Sequence, residues 1–172
     1  MNVAPVDAPL THYRRVLPGG LVIASARPEH AEALEALQRV VFPTLADDER
    51  FKAPHYRRHL ELFPEGQFVG LDGSRVVAAT ATIRMHFDFG HVDHTFADIL
   101  QGGWLTSHVP AGDWLYGADL GVHPDYRGRG LAGAMRRPPG AGVGARPEGP
   151  GDRGHDGERG FGAVKDRMTA EA

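Results

Sequence analysis

The sequence predicts a mixed α/β (α+β) domain, a mainly antiparallel central sheet flanked by helices, from three observations. Short runs rich in β-branched residues are interleaved with segments whose apolar residues recur every three or four positions. Two strand-like runs flank Asp72-Gly73-Ser74, a tight-turn signal that makes the runs antiparallel neighbours. A further apolar run, Trp114 to Val122, leads through a Pro-containing turn into a Gly/Arg loop that opens onto a helix-like segment. No unit of about 20 to 50 residues repeats, which argues against a solenoid.

Residues 1–20 hold several Pro and Gly without periodicity and are expected to form a loose arm. Leu21 to Ser25 is a short apolar run that reads as a first strand. Pro28 sits where a helix starts, with acidic Glu29 and Glu32 in the early turns. Ala31, Leu34, Leu37, Val40 and Val41 then recur at helical spacing, so the spacing predicts an amphipathic helix over Pro28 to Phe42, ended by Pro43. A second helix is expected over Pro54 to Phe63, with Leu60 and Phe63 inward and Arg57, Arg58 and Glu61 outward.

Gln67 to Leu71 and Arg75 to Met85 are the arms of the hairpin, and the second arm alternates Thr80, Thr82 and Arg84 against Ala79, Ala81 and Ile83. After a loop from His86 to His94, Thr95 stands three positions before Asp98, an N-cap arrangement for a short helix closed by Gly102-Gly103.

Composition narrows the function classes. The 172 residues suffice for one domain, with 41% hydrophobic and 24% charged residues, both near globular averages. A net charge of -3 argues against nonspecific nucleic-acid binding. The absence of cysteine excludes disulfides, thiolate nucleophiles and Cys-based zinc sites. No apolar run reaches the length of a signal peptide core or a membrane helix, so a cytoplasmic protein without membrane contact is expected. His91 and His94, with Asp93 and Asp98 nearby, do not meet a zinc spacing, so no metal is expected. Trp104, Trp114, Phe87 and Phe89 lack basic interleaving and are expected in the core or an acceptor pocket.

The chemistry concentrates between Asp113 and Arg137. Strand, turn, glycines and a helix start make an anion site, because the first helical amides lack intrahelical partners and the helix dipole is positive there. A P-loop needs Lys-Ser/Thr after its last glycine, and Leu131-Ala132 stands there instead. Gly128, Gly130 and Gly133 formally satisfy a dinucleotide fingerprint, so a dinucleotide-binding oxidoreductase is an alternative, although no second strand of a βαβ unit is legible downstream.

Arg127-Gly128-Arg129-Gly130-Leu131-Ala132 has the form R-x-x-G-x-A, preceded by Val122-His123-Pro124-x-Tyr126. This resembles the acyl-CoA-binding segment of the GNAT superfamily of N-acetyltransferases, and the order of elements from Leu21 to Arg137 matches a GNAT-like fold. The string from Thr95 to Arg137 resembles a subgroup whose acetyltransferase domain is sometimes fused to a nitrilase-like hydrolase; no hydrolase domain is present in this sequence. The resemblance implies acetyl-CoA as co-substrate and a small-molecule or peptide amine as acceptor, with a homodimer as a candidate assembly. It implies that the loop Arg127, Gly128, Arg129, Gly130, Leu131, Ala132 and Gly133 holds the pyrophosphate and that backbone groups of Leu120, Gly121 and Val122 pair with the pantetheine arm. Asp119 is the candidate base, with a structural hydrogen-bonded carboxylate as its alternative reading. Tyr116 and His108 are weaker substrate-side candidates, and no Tyr follows Tyr126 to serve as the superfamily's late-helix general acid.

The pattern breaks at Pro138-Pro139, which halts the last helix. Between Pro138 and Gly160 there are eight Gly and four Pro in 23 residues, and Val143 is the sole aliphatic side chain larger than Ala, so residues 138–160 are expected to be irregular. Residues 161–172 again resemble the subgroup. Family-like sequence on both sides of foreign sequence suggests a local frame disruption in the coding DNA, an incomplete C-terminal half, and a CoA cleft lacking one wall. A non-catalytic CoA-binding remnant is therefore the second functional expectation.

Overall fold

The computed structural model describes residues 12–86 and 95–136. The loop residues 87–94 and the segments 138–160 and 161–172 singled out above lie outside the described residues, as do residues 1–11 and Arg137.

A single five-stranded antiparallel sheet runs in sequence order: β1 (Arg14–Val16), β2 (Val22–Ser25), β3 (Phe68–Asp72), β4 (Arg75–Met85) and β5 (Trp114–Val122). A helical pair, α1 (Ala31–Val41) and α2 (Ala53–Leu62), connects β2 to β3. The short α3 (Phe96–Leu100) follows β4, and α4 (Leu131–Arg136) follows β5. The mixed α/β, mainly antiparallel architecture is the one expected.

The loose arm expected over residues 1–20 is corrected at its end, where β1 pairs with β2 from Arg14↔Ala24 to Val16↔Val22. Its three side chains are all exposed, so it carries no hydrophobic alternation for a sequence pattern to register. The helix expected from Pro28 begins as one 3-10 turn, Pro28–His30, and continues as α1. On α2 the inward residues are Ala53, Tyr56 and His59, with Phe63 buried just beyond the helix and Leu60 only half-buried. The two helices are tied by an Arg57–Glu32 ion pair.

Apolar residues form two clusters, one on each face of the sheet. Leu34, Leu37 and Val41 of α1 and Tyr56 of α2 pack on Val69, Ala79, Ala81 and Ile83. Leu131 and Met135 of α4 pack on Ile23, Phe68, Val77 and Ala78 from the other side. Strand β4 is therefore covered on both faces, and Val76 through Ile83 are all buried; its alternation sets Ala79, Ala81 and Ile83 on the α1–α2 side, away from the intervening threonines. Its threonines tolerate this because they are paired. Thr80 Oγ1 donates to Asp119 O (2.9 Å), and Thr82 Oγ1 to Gly66 O (2.6 Å).

Beyond the end of β3, the Gln67 side chain takes the place of a ladder partner. Its Oε1 accepts from Thr82 N (3.2 Å) and its Nε2 donates to Thr82 O (2.7 Å). Gly70 is required by close packing: a Cβ there would stand 2.8 Å from Ala78 Cβ and 3.2 Å from Leu131 Cδ2. Its absence lets α4 settle onto the sheet.

Candidate active site

The register of β5 on β4 slips once. Asp119 pairs with Ala81 and Gly117 with Thr82, so Ala118 is an extra residue without a partner. This bulge bends β5 and puts Tyr116, Ala118 and Asp119 in contact with groups of the α1–α2 face. Gly117, a glycine inside a strand-like run, is the sequence signal that could have announced it.

Among the described residues nothing pairs with the other edge of β5. His123 N donates to Val77 O (2.8 Å), which fixes the alternation of the ladder. Gly121 and Asp119 therefore direct their backbone groups at β4, whereas Leu120 and Val122 direct theirs at the free edge. The contact of Arg127 Nε with Val122 O (3.2 Å) agrees with that orientation. Gly121 serves α1 instead: a Cβ at this position would lie 3.2 Å from Val41 Cγ1.

After β5 the chain turns through Pro124–Tyr126. Tyr126 pins this turn to the β3–β4 hairpin by donating from its hydroxyl to Asp72 Oδ2 (2.6 Å), with the Arg129 guanidinium 4.9 Å from its ring centre. Gly128 (φ +75°) and Gly130 (φ +82°) hold left-handed conformations, and a Cβ on either would meet nothing within 4 Å. Among the described residues their outer face is open to an approaching ligand. Leu131, only 1% exposed, anchors the start of α4, and Ala134 N donates to Gly130 O (3.0 Å) to close its first turn. The amides of Leu131, Ala132 and Gly133 have no intrahelical acceptor, and no acidic residue lies in that turn to compete for them. Arg127 and Arg129 are exposed beside the loop, and Arg129 also donates to Asp125 O (3.1 Å). Open glycines, spare amides and two guanidinium groups fit a phosphate-bearing ligand.

On the helical face, Asp119 is 6% exposed, and Gln38 Nε2 donates to its Oδ2 at 2.5 Å. Burial pushes the Asp119 carboxyl up to about 7, against the opposing pull of the Gln38 amide and the Leu120 backbone. Tyr56 lies near this carboxylate and Gln38, and among the described residues its buried hydroxyl has no partner at good hydrogen-bond geometry. Burial, and then the Asp119 charge, hold its pKa well above the ordinary phenol value. Gln38 and Tyr56 were not anticipated, since nothing local marks a polar residue on a helix as the partner of a carboxylate 81 positions away.

Tyr116 is half-buried on the same face, and burial raises its pKa, so it remains a protonated phenol at neutral pH. His108 is committed elsewhere: its Nδ1 accepts from Arg84 N (3.0 Å) and its ring stacks on Phe63 with centres 4.9 Å apart. Asp98 accepts from Thr95 N (2.9 Å) in the expected cap. His91, Asp93 and His94 fall outside the described residues. Trp104 is 43% exposed and packs edge-on against His55, with ring centres 4.3 Å apart. Among the described residues no helix is long and apolar enough to cross a membrane, and no three potential ligands gather around a metal position.

No family model matches the chain. Over 107 residues it is 34% identical to the probable hydrolase YhcX of Bacillus subtilis, covering 62% of this chain and 20% of that protein. Over 112 residues it is 30% identical to the uncharacterized N-acetyltransferase YkwB of Bacillus subtilis, covering 64% of this chain and 50% of that protein. The chain thus spans half or less of the length of these curated relatives. Among solved structures it is similar to the GphF GNAT-like decarboxylase in complex with isobutyryl-CoA, with a TM-score of 0.55, 24% identity and coverage of 66% of this chain and 54% of that one. It is similar also to the loading GNATL domain of CurA from Lyngbya majuscula, with a TM-score of 0.55, 16% identity and coverage of 67% and 54%.

Proposed function

We propose that this chain, a domain of GNAT-like fold, is an acyltransferase that takes an acyl group, acetyl by its sequence resemblance, from an acyl-CoA and passes it to a primary amine. The observation that carries this reading is the juxtaposition of the open Gly128–Gly130 loop at the start of α4 with the edge of β5 that is unpaired among the described residues. A pyrophosphate suits the first and an extended, amide-bearing arm suits the second.

In this reading the amides opening α4, with Arg127 and Arg129, hold the pyrophosphate, and the outward backbone groups of Leu120 pair with the pantetheine arm. The acyl-CoA supplies a thioester whose carbonyl carbon bonds to the amine nitrogen as its carbon–sulfur bond breaks and the thiolate leaves. The outward N–H of Val122 polarises that carbonyl. Asp119, with a pKa of about 7, is matched to receive the proton the amine gives up at neutral pH. Gln38 holds the carboxylate in position at 2.5 Å. Tyr116, a phenol at neutral pH, is the candidate to return a proton to the thiolate.

The test is calorimetry of the purified chain with acetyl-CoA, alongside thiol release over a panel of primary amines. Binding with turnover supports the transferase. Binding without turnover on any amine supports the second reading, a non-catalytic CoA-binding remnant, for which the break in sequence pattern at Pro138-Pro139 is the specific observation. Stabilisation by NAD instead of CoA would overturn both in favour of a dinucleotide enzyme.

A further inference from the structure

A cavity of about 490 Å³ opens between the α1–α2 connection and the α3 segment. Its walls are apolar, built from Leu45, Phe51, Phe96 and Leu100. It lies on the same side of the sheet as Asp119: Phe51 stands edge-on to Tyr56 with ring centres 5.9 Å apart, and Leu100 packs on the core shared with Tyr116 and Ala118. The connection that forms one wall leaves α1 directly after Val41, the side chain lying against Gly121 of β5.

The charges at the rim do not balance. Arg50 is turned back onto the end of α1, donating to Phe42 O (3.0 Å) and Pro43 O (2.8 Å). Asp47 is held by Lys52 at 2.6 Å. Arg50 keeps its positive charge but turns it away from the opening, so the exposed groups facing the opening are the carboxylates of Asp48 and Glu49, and the three lining residues together stay net negative. Glu49 accepts one backbone bond from Ala46 (3.2 Å), and among the described residues Asp48 has no partner. A negative rim over an apolar interior draws in a cation and then rewards an apolar body.

Resting on the acyltransferase reading above, we propose that this cavity is the acceptor subsite and that the acceptor is an amine borne on an aryl or branched-alkyl body. Polyamines and sugar amines gain nothing from such walls. Asp48 and Glu49 steer the ammonium form toward the opening, and the apolar walls hold the body.

The test is calorimetric binding of 2-phenylethylamine and of spermidine to the full chain saturated with CoA, in parallel with acyl transfer to each. Phenylethylamine is expected to bind at least tenfold more tightly. Ala97→Trp, at an exposed position lining the cavity, is expected to raise its Kd at least tenfold while CoA affinity stays within twofold. Asp48→Asn with Glu49→Gln is expected to slow its association severalfold at low salt and to leave the rate at high salt unchanged. Spermidine binding as tightly as phenylethylamine, or an unchanged Kd in Ala97→Trp, overturns the assignment. Loss of phenylethylamine binding in Ala97→Trp, without acyl transfer to any amine by the wild type, upholds the cavity and removes the transferase reading instead.

Discussion

Replacing Asp119 with Asn is the most informative single perturbation, because two buried groups titrate against each other in this fold. Burial raises the Asp119 pKa from 3.8 to about 7, so the folded state takes up a proton that the unfolded chain does not. That stabilisation is fully present below about pH 4 and is lost as the pH rises through about 7. Three units at about 1.4 kcal/mol each make it about 4 kcal/mol. His59 works in the opposite sense. It is 1% exposed, its Nε2 lies 2.7 Å from Gly103 O, and burial lowers its pKa from 6.5 to about 4. Its contribution, about 3 kcal/mol, is present above pH 6.5 and is lost as the pH falls through about 4. Across most of that shared window one proton is exchanged for another. Asp119→Asn removes one side of the exchange, so urea unfolding from about pH 4.5 to about pH 8 should show the variant gaining on the wild type by about 3 kcal/mol, with the gain complete near pH 8. A difference between the two proteins that does not change with pH would refute the argument.

Gly130→Val places a β-branched residue at φ +82° and fills the open face of the loop, so its Kd for CoA should rise at least tenfold by calorimetry; unchanged affinity would remove the cradle assignment. Gln38→Leu deletes the donor that pulls the Asp119 pKa down, so the acidic limb of the kcat/KM profile for acyl transfer should move to higher pH. Leu131→Ala empties a fully buried site between α4 and the sheet and should cost about 2–5 kcal/mol in urea unfolding. Thr95→Ala removes the acceptor for Asp98 N (3.2 Å) and should cost about 1 kcal/mol in the same assay.

What the sequence disclosed follows from where its signals are local. Strand β5 begins and ends at Trp114 and Val122 as read, because the apolar run has hard boundaries. The β3–β4 hairpin closes through Gly73 at φ +58°, the conformation its tight turn demands. The cap of α3 was legible because Thr95 and Asp98 are three residues apart. Features that depend on distant partners were not. Strand β1 pairs with β2 while its own three side chains stay exposed, so the pairing leaves no trace in side-chain pattern. The inward face of α2 holds Tyr56 and His59 because the core around them is aromatic, with Phe51 5.1 Å from His59 ring centre to ring centre. Within the site, the pyrophosphate loop was visible as a string, whereas the Gln38–Asp119 pair exists only once helix and sheet have met.

The two margins of the sheet carry different liabilities. Strand β1 presents Arg14 and Arg15, and charge on a margin discourages another chain from docking there. Strand β5 has no Lys, Arg or Pro in its nine residues, while Leu120 and Val122 offer it hydrogen-bonding groups beside half-buried apolar side chains. Among the described residues nothing covers this margin, and a margin of this kind is a template for aggregation whenever nothing is laid along it. A bound extended ligand would then protect the protein from its own copies, and solubility at high concentration would depend on the ligand supply.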